Sequence, residues 1–157
     1  MKKEFTRDYA TEAFRLYAAM GKPTYDEAKQ IIYNKALSDC EFKEPEVATQ
    51  TAEIAVEKAT PLLLDILAVE KTIDILTRGG KTHIVRAVED VYFVQPKLPI
   101  RRGDITARVH RHSLTSFASE RIVFLWLKEA RLLFASIRGL RIPEEDKEKY
   151  KVCSSGV

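Results

Sequence analysis

The sequence predicts an all-α fold, and three observations carry that prediction. Charged residues make up 31% of the 157 residues, whereas Gly and Pro number only six each, a balance typical of helical globular domains. Apolar residues recur at spacings of three and four, which is the period of an amphipathic helix. Short stretches carrying Gly, Pro, Ser or Thr separate these periodic segments, and such residues are the usual helix boundaries.

Two helices are predicted within residues 1–45, which we interpret as an N-terminal helical hairpin that oligomerises or contacts a partner. The first helix carries one apolar stripe and ends at Gly21 and Pro23. The second helix begins after Thr24, because Thr24 and Glu27 have the spacing of a capping box. The acidic, proline-containing stretch that follows predicts a connection to the rest of the chain.

Residues 46–142 are predicted to form the helical core of the chain. A weak helix over 47–59 leads to Thr60, which we expect to cap the next helix, with Pro61 in its first turn. That next helix, 62–76, is so densely apolar that it should lie at the centre of the core.

The second half of this core is predicted to contain three more helices. One helix, over 82–94, is apolar over most of its circumference and should be largely buried. After an extended, proline-containing connector, Asp104 is expected to cap a short helix over 105–112. A turn rich in Ser and Thr follows, and Ser119 then caps a long helix that runs to about Arg138.

The last residues, 143–157, are charged and then small, which predicts a charged flexible tail. Cys40 and Cys153 lie far apart, and no Cys, His and carboxylate side chains recur at ligand spacing, so we predict no disulfide, metal site or cofactor. We find no leader with an apolar stretch and no apolar run long enough to cross a bilayer. We therefore expect a soluble cytoplasmic protein with no membrane partner.

Positive charge is concentrated in the C-terminal part of the chain. Residues 101–141 carry nine Lys or Arg against three Asp or Glu, whereas the first sixty residues carry nine against eleven. This asymmetry is typical of a nucleic-acid-contacting half joined to a protein-contacting half. An ordinary solvated helical surface is the alternative.

The long final helix has two distinct faces when successive residues are placed 100° apart. Val123, Leu127 and Phe134 share an apolar face that we expect to be buried. The opposite face carries two basic and two leucine side chains: Arg121, Leu125, Lys128 and Leu132. A recognition helix in the major groove needs one face pinned to the protein and one facing outward.

These two faces define a set of candidate DNA contacts. Five residues at the start of the final helix are expected to contact base edges: Ser119, Glu120, Arg121, Leu125 and Lys128. Among them, Arg121 can pair with a guanine, Glu120 can accept from a cytosine amine, and Leu125 can touch a thymine methyl. Five residues on or before the short helix are expected to contact phosphates: Arg101, Arg102, Thr106, Arg108 and Arg111.

The motifs DITARV and SERIVFLWLKEARLLFA resemble helix-turn-helix domains related to region four of bacterial sigma factors and to phage-encoded late transcriptional regulators. Ser119 matches the cap of their recognition helix, Val123 and Leu127 match core positions, and Trp126 with Leu127 matches a Trp-Leu pair. The similarity extends over residues 62–140. It implies a tetrahelical helix-turn-helix domain that binds duplex DNA in a sequence-specific manner and regulates transcription, in a bacterial or phage-related setting.

Three features depart from the pattern of that family. Ile122 stands where Thr is usual, Leu125 replaces a basic residue, and the expected turn over 113–118 is long and lacks Gly. Leu125 and Leu132 could therefore face a protein partner instead of DNA.

Two other functions fit the same residues. A small terminase-like DNA-recognition subunit keeps the DNA contact, whereas a helical adaptor or homo-oligomer has none. No enzyme is predicted, because the sequence shows no nucleophile beside a base, no Gly-rich phosphate loop and no catalytic carboxylate pair. Double-stranded DNA is the expected partner, RNA polymerase and a second copy of the chain are further candidates, and no small-molecule substrate is evident.

Overall fold

The computed structural model describes residues 2–141, with side chains from Phe5 onward, and contains seven helices in that range. Their bounds are α1 Lys2–Ala19, α2 Tyr25–Asp39, α3 Pro45–Lys58, α4 Thr60–Arg78, α5 Thr82–Tyr92, α6 Asp104–Ser116 and α7 Glu120–Arg138. No strand occurs in this part of the chain, so the all-α prediction is confirmed. None of these helices is long and apolar enough to span a membrane. The predicted tail, 143–157, lies outside the described residues.

Helix α1 belongs to the core and does not pair with α2. It packs against α4, α5 and α7, and its buried Phe14 ring lies 5.7 Å from the ring of Phe134 on α7. Helix α2 instead packs against α3 and α4. The N-terminal hairpin predicted for residues 1–45 is therefore wrong in its partners, and the hairpin is α2–α3. An apolar stripe shows that a helix is covered, but it does not show by which neighbour.

A side-chain cap explains where α2 begins but not where α4 begins. The hydroxyl of Thr24 accepts from the Glu27 amide at 3.2 Å, as the capping-box spacing predicts. Thr60 does not cap α4 and is its first residue, so that prediction is wrong. Its hydroxyl donates to the Glu57 carbonyl at 2.6 Å, because α3 and α4 are separated by Ala59 alone and the end of α3 still offers open carbonyls.

A partly buried polar network ties the end of α7 to α1 and α4. The Asp65 carboxylate accepts from Arg138 Nε at 2.8 Å and from the Tyr9 hydroxyl at 2.8 and 3.0 Å. Burial, and next the hydrogen bond to Asp65, raise the pKa of Tyr9 above its ordinary value. The hydrogen bond to Asp65 is the main reason that the pKa of Arg138 is raised as well. The C-terminal end of α7 is thereby fixed in the core.

Candidate nucleic-acid interface

Helices α6 and α7 follow each other directly and are joined by a short link. Residues 117–119 alone separate them, and both helices pack against α5 and against each other. The predicted short helix 105–112 and the long turn after it are therefore wrong. The Ser113 and Thr115 hydroxyls donate to backbone carbonyls one turn earlier, at 2.6 and 3.0 Å, so these polar residues are satisfied inside the helix. A link of three residues has the length usual for a helix-turn-helix motif.

The start of α6 also differs from the prediction. Asp104 is the first residue of the helix rather than its cap, and Gly103 occupies the capping position with φ 88°. The Asp104 carboxylate accepts from the Arg101 amide at 2.7 Å, so it binds the turn before the helix. This bond fixes the backbone that carries Arg101 and Arg102, and both of these side chains are exposed.

Helix α7 changes in burial along its length. In the C-terminal half, residues 132–136 are all buried, whereas in the N-terminal half only Val123, Leu127 and Ala130 are buried, and the first two were predicted. Leu132, which the helical projection placed on the outer face, is thus covered by the chain itself. In the first three turns of α7, one face is buried against the core and the opposite face is exposed.

The predicted base-contact residues lie together at this projecting end. Arg121 and Lys128 are exposed, Leu125 is 50% exposed, and they share one face of α7. Ser119 caps the helix, as predicted, by accepting from the Ile122 amide at 3.2 Å. The direct base contacts themselves stay predictions.

Glu120 has a partner that the sequence analysis did not foresee. Its carboxylate lies 2.5 Å from Nδ1 of His110 on α6. This contact joins the first turn of α7 to α6.

Four of the five predicted phosphate contacts are exposed: Arg101, Arg102, Thr106 and Arg111. The fifth, Arg108, is only 6% exposed, and its Nη1 donates to the Val91 carbonyl at 3.0 Å, so its assignment is wrong. Two physical reasons account for this. Arg108 lies on the inward stripe of α6 with Val109 and His112, and α5 ends with carbonyls that need a donor.

A second buried arginine, Arg15 on α1, was missed from the sequence. Its Nη2 donates to the carbonyls of Gln95 and Pro96, at 3.3 and 3.4 Å, and to that of Leu98. Burial lowers the pKa of Arg15, and the positive charge of Arg108 lowers it further. An arginine within an apolar helix face was the only available signal. Arg15 holds the connector that leads from α5 to the basic turn before α6.

His112 is buried and joins α6 to α5. Its Nδ1 lies 2.6 Å from the Asp90 carboxylate, and its ring meets the Trp126 ring edge-on with centroids 6.3 Å apart. Trp126 lies on α7, so this second contact joins α6 to α7. The His112 side chain therefore connects the three helices α5, α6 and α7.

In residues 101–141 the acidic side chains have partners, whereas several arginines do not. The three acidic residues all have partners: Asp104 binds the Arg101 amide, Glu120 meets His110, and Glu129 lies 3.1 Å from Lys81. Within residues 5–141, no ion pair or side-chain hydrogen bond engages the guanidinium groups of four arginines: Arg101, Arg102, Arg111 and Arg121. The exposed surface of α6 and α7 is therefore positive in its unpaired charge.

The basic turn before α6 lies beside the projecting half of α7. Ile100 and Ile105 line a cleft of about 570 Å³ together with Phe124 and Leu127 of α7. Since Arg101 and Arg102 come between these two isoleucines, they lie close to the first turns of α7. The cleft is also lined by Asp8 and Glu12 of α1, so it places the turn that carries Arg101 and Arg102 near both α1 and the first half of α7.

Replacing the buried arginine of α6 should affect stability and not surface charge alone. Arg108→Ala is expected to lower the free energy of unfolding by about 1–3 kcal/mol, because it leaves the buried Val91 carbonyl without a donor. Arg111→Ala removes the same side chain from an exposed position of the same helix and should change stability by about 0.5 kcal/mol or less. Urea unfolding followed by circular dichroism measures both. Equal losses of unfolding free energy in the two variants would mean that Arg108 lies at the surface.

Comparison with protein-family models, curated proteins and solved structures finds no match to this chain. The resemblance to region four of sigma factors therefore stays a prediction from the sequence. Any functional assignment depends on the geometry and charge of the α6–α7 surface.

Proposed function

We propose that this chain is a sequence-specific duplex-DNA-binding transcriptional regulator, and that the N-terminal half of α7 enters the major groove. The observation that carries the proposal is the projecting end of α7, where Arg121 is exposed and has no acidic partner within residues 5–141. The major groove, about 12 Å wide, admits a single α-helix, and base edges there present a distinct pattern for each base pair. Arg121 suits a guanine, and Leu125 suits a thymine methyl.

The same surface offers groups for the DNA backbone. Arg101, Arg102 and Arg111 are exposed on or before α6, and the hydroxyl of Thr106 is exposed on that helix. Such contacts set the position and orientation of a protein on DNA without reading its sequence. Among the helices of residues 2–141, α4 is the one against which the α2–α3 hairpin packs, so the hairpin is the candidate surface for RNA polymerase or for a second copy of the chain.

Selection of bound duplexes from a random pool tests the proposal most directly. A recovered motif, together with affinity that falls steeply as salt is added, is the expected result. A ring-shaped oligomer that binds one duplex would favour the terminase-like alternative. If the chain binds no DNA at any salt concentration and associates with itself, the proposal is wrong and the helical adaptor or homo-oligomer is favoured.

Removing the two arginines before α6 should weaken binding without changing its sequence preference. We expect the Arg101→Ala, Arg102→Ala double variant to lose affinity equally for selected and random duplexes. The slope of log affinity against log salt should become shallower by roughly 0.9 for each lost phosphate contact. Lys29→Ala, Lys35→Ala is the matched control, since it removes two exposed charges from the α2–α3 hairpin. An unchanged slope in the arginine variant would exclude this turn from the interface.

A further inference from the structure

Phe117, the first residue of the link between α6 and α7, combines two unfavourable features. Its backbone is left-handed, with φ 57° and ψ 26°, a conformation that only Gly adopts without a steric cost. Its side chain is 95% exposed. The other non-glycine residues with positive φ in the described chain, Lys22 and Gln95, are polar.

An aromatic side chain at position 117 contributes little to the stability of the fold. Within the described residues the Phe117 ring makes no contact with another aromatic ring, and its exposure leaves almost no apolar area to be removed from water. Glycine would fit the same turn better. A bulky residue that is both strained and exposed therefore points to a function outside the folded core.

The surroundings of Phe117 indicate the kind of partner. Leu114, three residues earlier in the last turns of α6, is 65% exposed as well. Exposed Arg111 and Arg121 lie on either side along the chain, while the neighbouring carboxylate of Glu120 is occupied by His110. An exposed apolar residue with exposed arginines before and after it in the chain fits a polyanion whose interior is apolar, which is the character of stacked bases between phosphates.

Phe42 provides a contrast within the same chain. It is 98% exposed in the link between α2 and α3, but its backbone is not in the left-handed region. The exposed charges around it are Glu41, Glu44 and Glu46 against the single base Lys43, so this link is acidic on balance and would repel a DNA backbone. Exposure alone therefore does not single out Phe117, whereas its strain and its basic frame do.

We infer that Phe117 is an apolar wedge that presses against the base stack of the bound duplex and partly unstacks one base step. The inference rests on the proposed function and deepens it, because it adds distortion of the DNA to recognition by α7. Proteins that bind the minor groove insert apolar side chains at a base step, which bends the duplex and gives further contacts, and Phe117 would act on a base step in the same way from the side of the major groove. Phe117 directly precedes Ala118 and the cap Ser119, so it approaches the duplex together with the first turn of α7.

The experiment compares wild type, Phe117→Gly and Phe42→Gly on the selected duplex, labelled with 2-aminopurine at successive positions. Wild type and Phe42→Gly should raise the fluorescence at one base step, as unstacking does, and Phe117→Gly should not. Its affinity should fall roughly 5- to 150-fold, as for the loss of one aromatic stacking contact. Since Gly relieves the left-handed strain, the thermal midpoint of Phe117→Gly should stay equal or rise, which excludes unfolding as the cause.

Two results would contradict the wedge, and they can be told apart. If Phe117→Gly binds the duplex as tightly as wild type with the same fluorescence profile, the wedge is wrong and the DNA-binding proposal stands. If Phe117→Gly loses self-association in sedimentation and keeps its DNA binding, the partner is a second copy of the chain. Wild-type protein that binds no duplex would remove the proposed function itself.

Discussion

Phe134→Ala is expected to lower the free energy of unfolding by about 3–5 kcal/mol, the largest loss we predict for a single substitution. Phe134 is fully buried in the C-terminal half of α7. Its ring centroid lies 5.7 Å from that of Phe14 and 6.3 Å from that of Tyr9, both on α1. Truncation leaves a cavity where α1 and α7 meet, and a packed interior relaxes only in part to fill it.

The size of this loss matters because domains are stable by only about 5–15 kcal/mol. Guanidinium unfolding followed by circular dichroism measures it. Phe124→Ala is the matched control, since Phe124 lies on the same helix and is 40% exposed, and we expect it to cost about 1 kcal/mol. Similar losses for the two variants would mean that α1 does not cover α7 as the structure has it.

The same substitution separates stability from recognition. Phe134 lies on the buried face of α7, away from the projecting side chains of Arg121 and Leu125. At temperatures where Phe134→Ala remains folded, its affinity for a selected duplex should equal that of wild type. A folded variant with weakened binding would show that the position of α7 depends on this aromatic cluster.

Helical periodicity was enough to predict the fold class and the buried face of α7. Val123, Leu127 and Phe134 are fully buried, as their spacing indicates, because side chains three and four apart must share a face. The Thr24 and Ser119 caps were also predictable, since each requires only a hydroxyl and a nearby amide. Both kinds of inference depend on neighbours within one helix.

Features that depend on distant partners were not predictable in this way. The covering of α1 by α4 and α7, and not by α2, is a tertiary choice that an apolar stripe leaves open. Arg108 was assigned to the surface because it is charged, yet it serves an open carbonyl at the end of another helix. The length of α6 was underestimated because Ser and Thr resemble turn residues until their hydroxyls bond within the helix.

These corrections change two features of the candidate interface: the length of the link between its helices and the number of its exposed arginines. The longer α6 shortens the link to three residues, and the burial of Arg108 removes one charge from the surface. The remaining exposed arginines lie before α6, on α6 and at the start of α7, whereas the acids among them are all engaged. Sequence counts of charge could not separate paired from unpaired groups, and the structure does so.

Arg121→Ala is expected to weaken binding to a selected duplex by about 1–3 kcal/mol, roughly 5- to 150-fold, and to affect random duplex far less. The reason is geometric. Arg121 is exposed in the first turn of α7, where a helix in the major groove meets base edges, and its planar fork can donate two hydrogen bonds to one guanine. Competition binding with both duplexes at one fixed salt concentration measures the two losses together.

Lys35→Ala is the control for the change in charge, because it removes one exposed positive charge from α2, which contacts neither α6 nor α7. It should leave both affinities unchanged. Arg121→Lys sharpens the test, since lysine keeps the charge and loses the paired donors. If Arg121→Lys restores full discrimination, or if Arg121→Ala weakens selected and random duplexes equally, Arg121 binds a phosphate and the reading of sequence must come from other residues of α7.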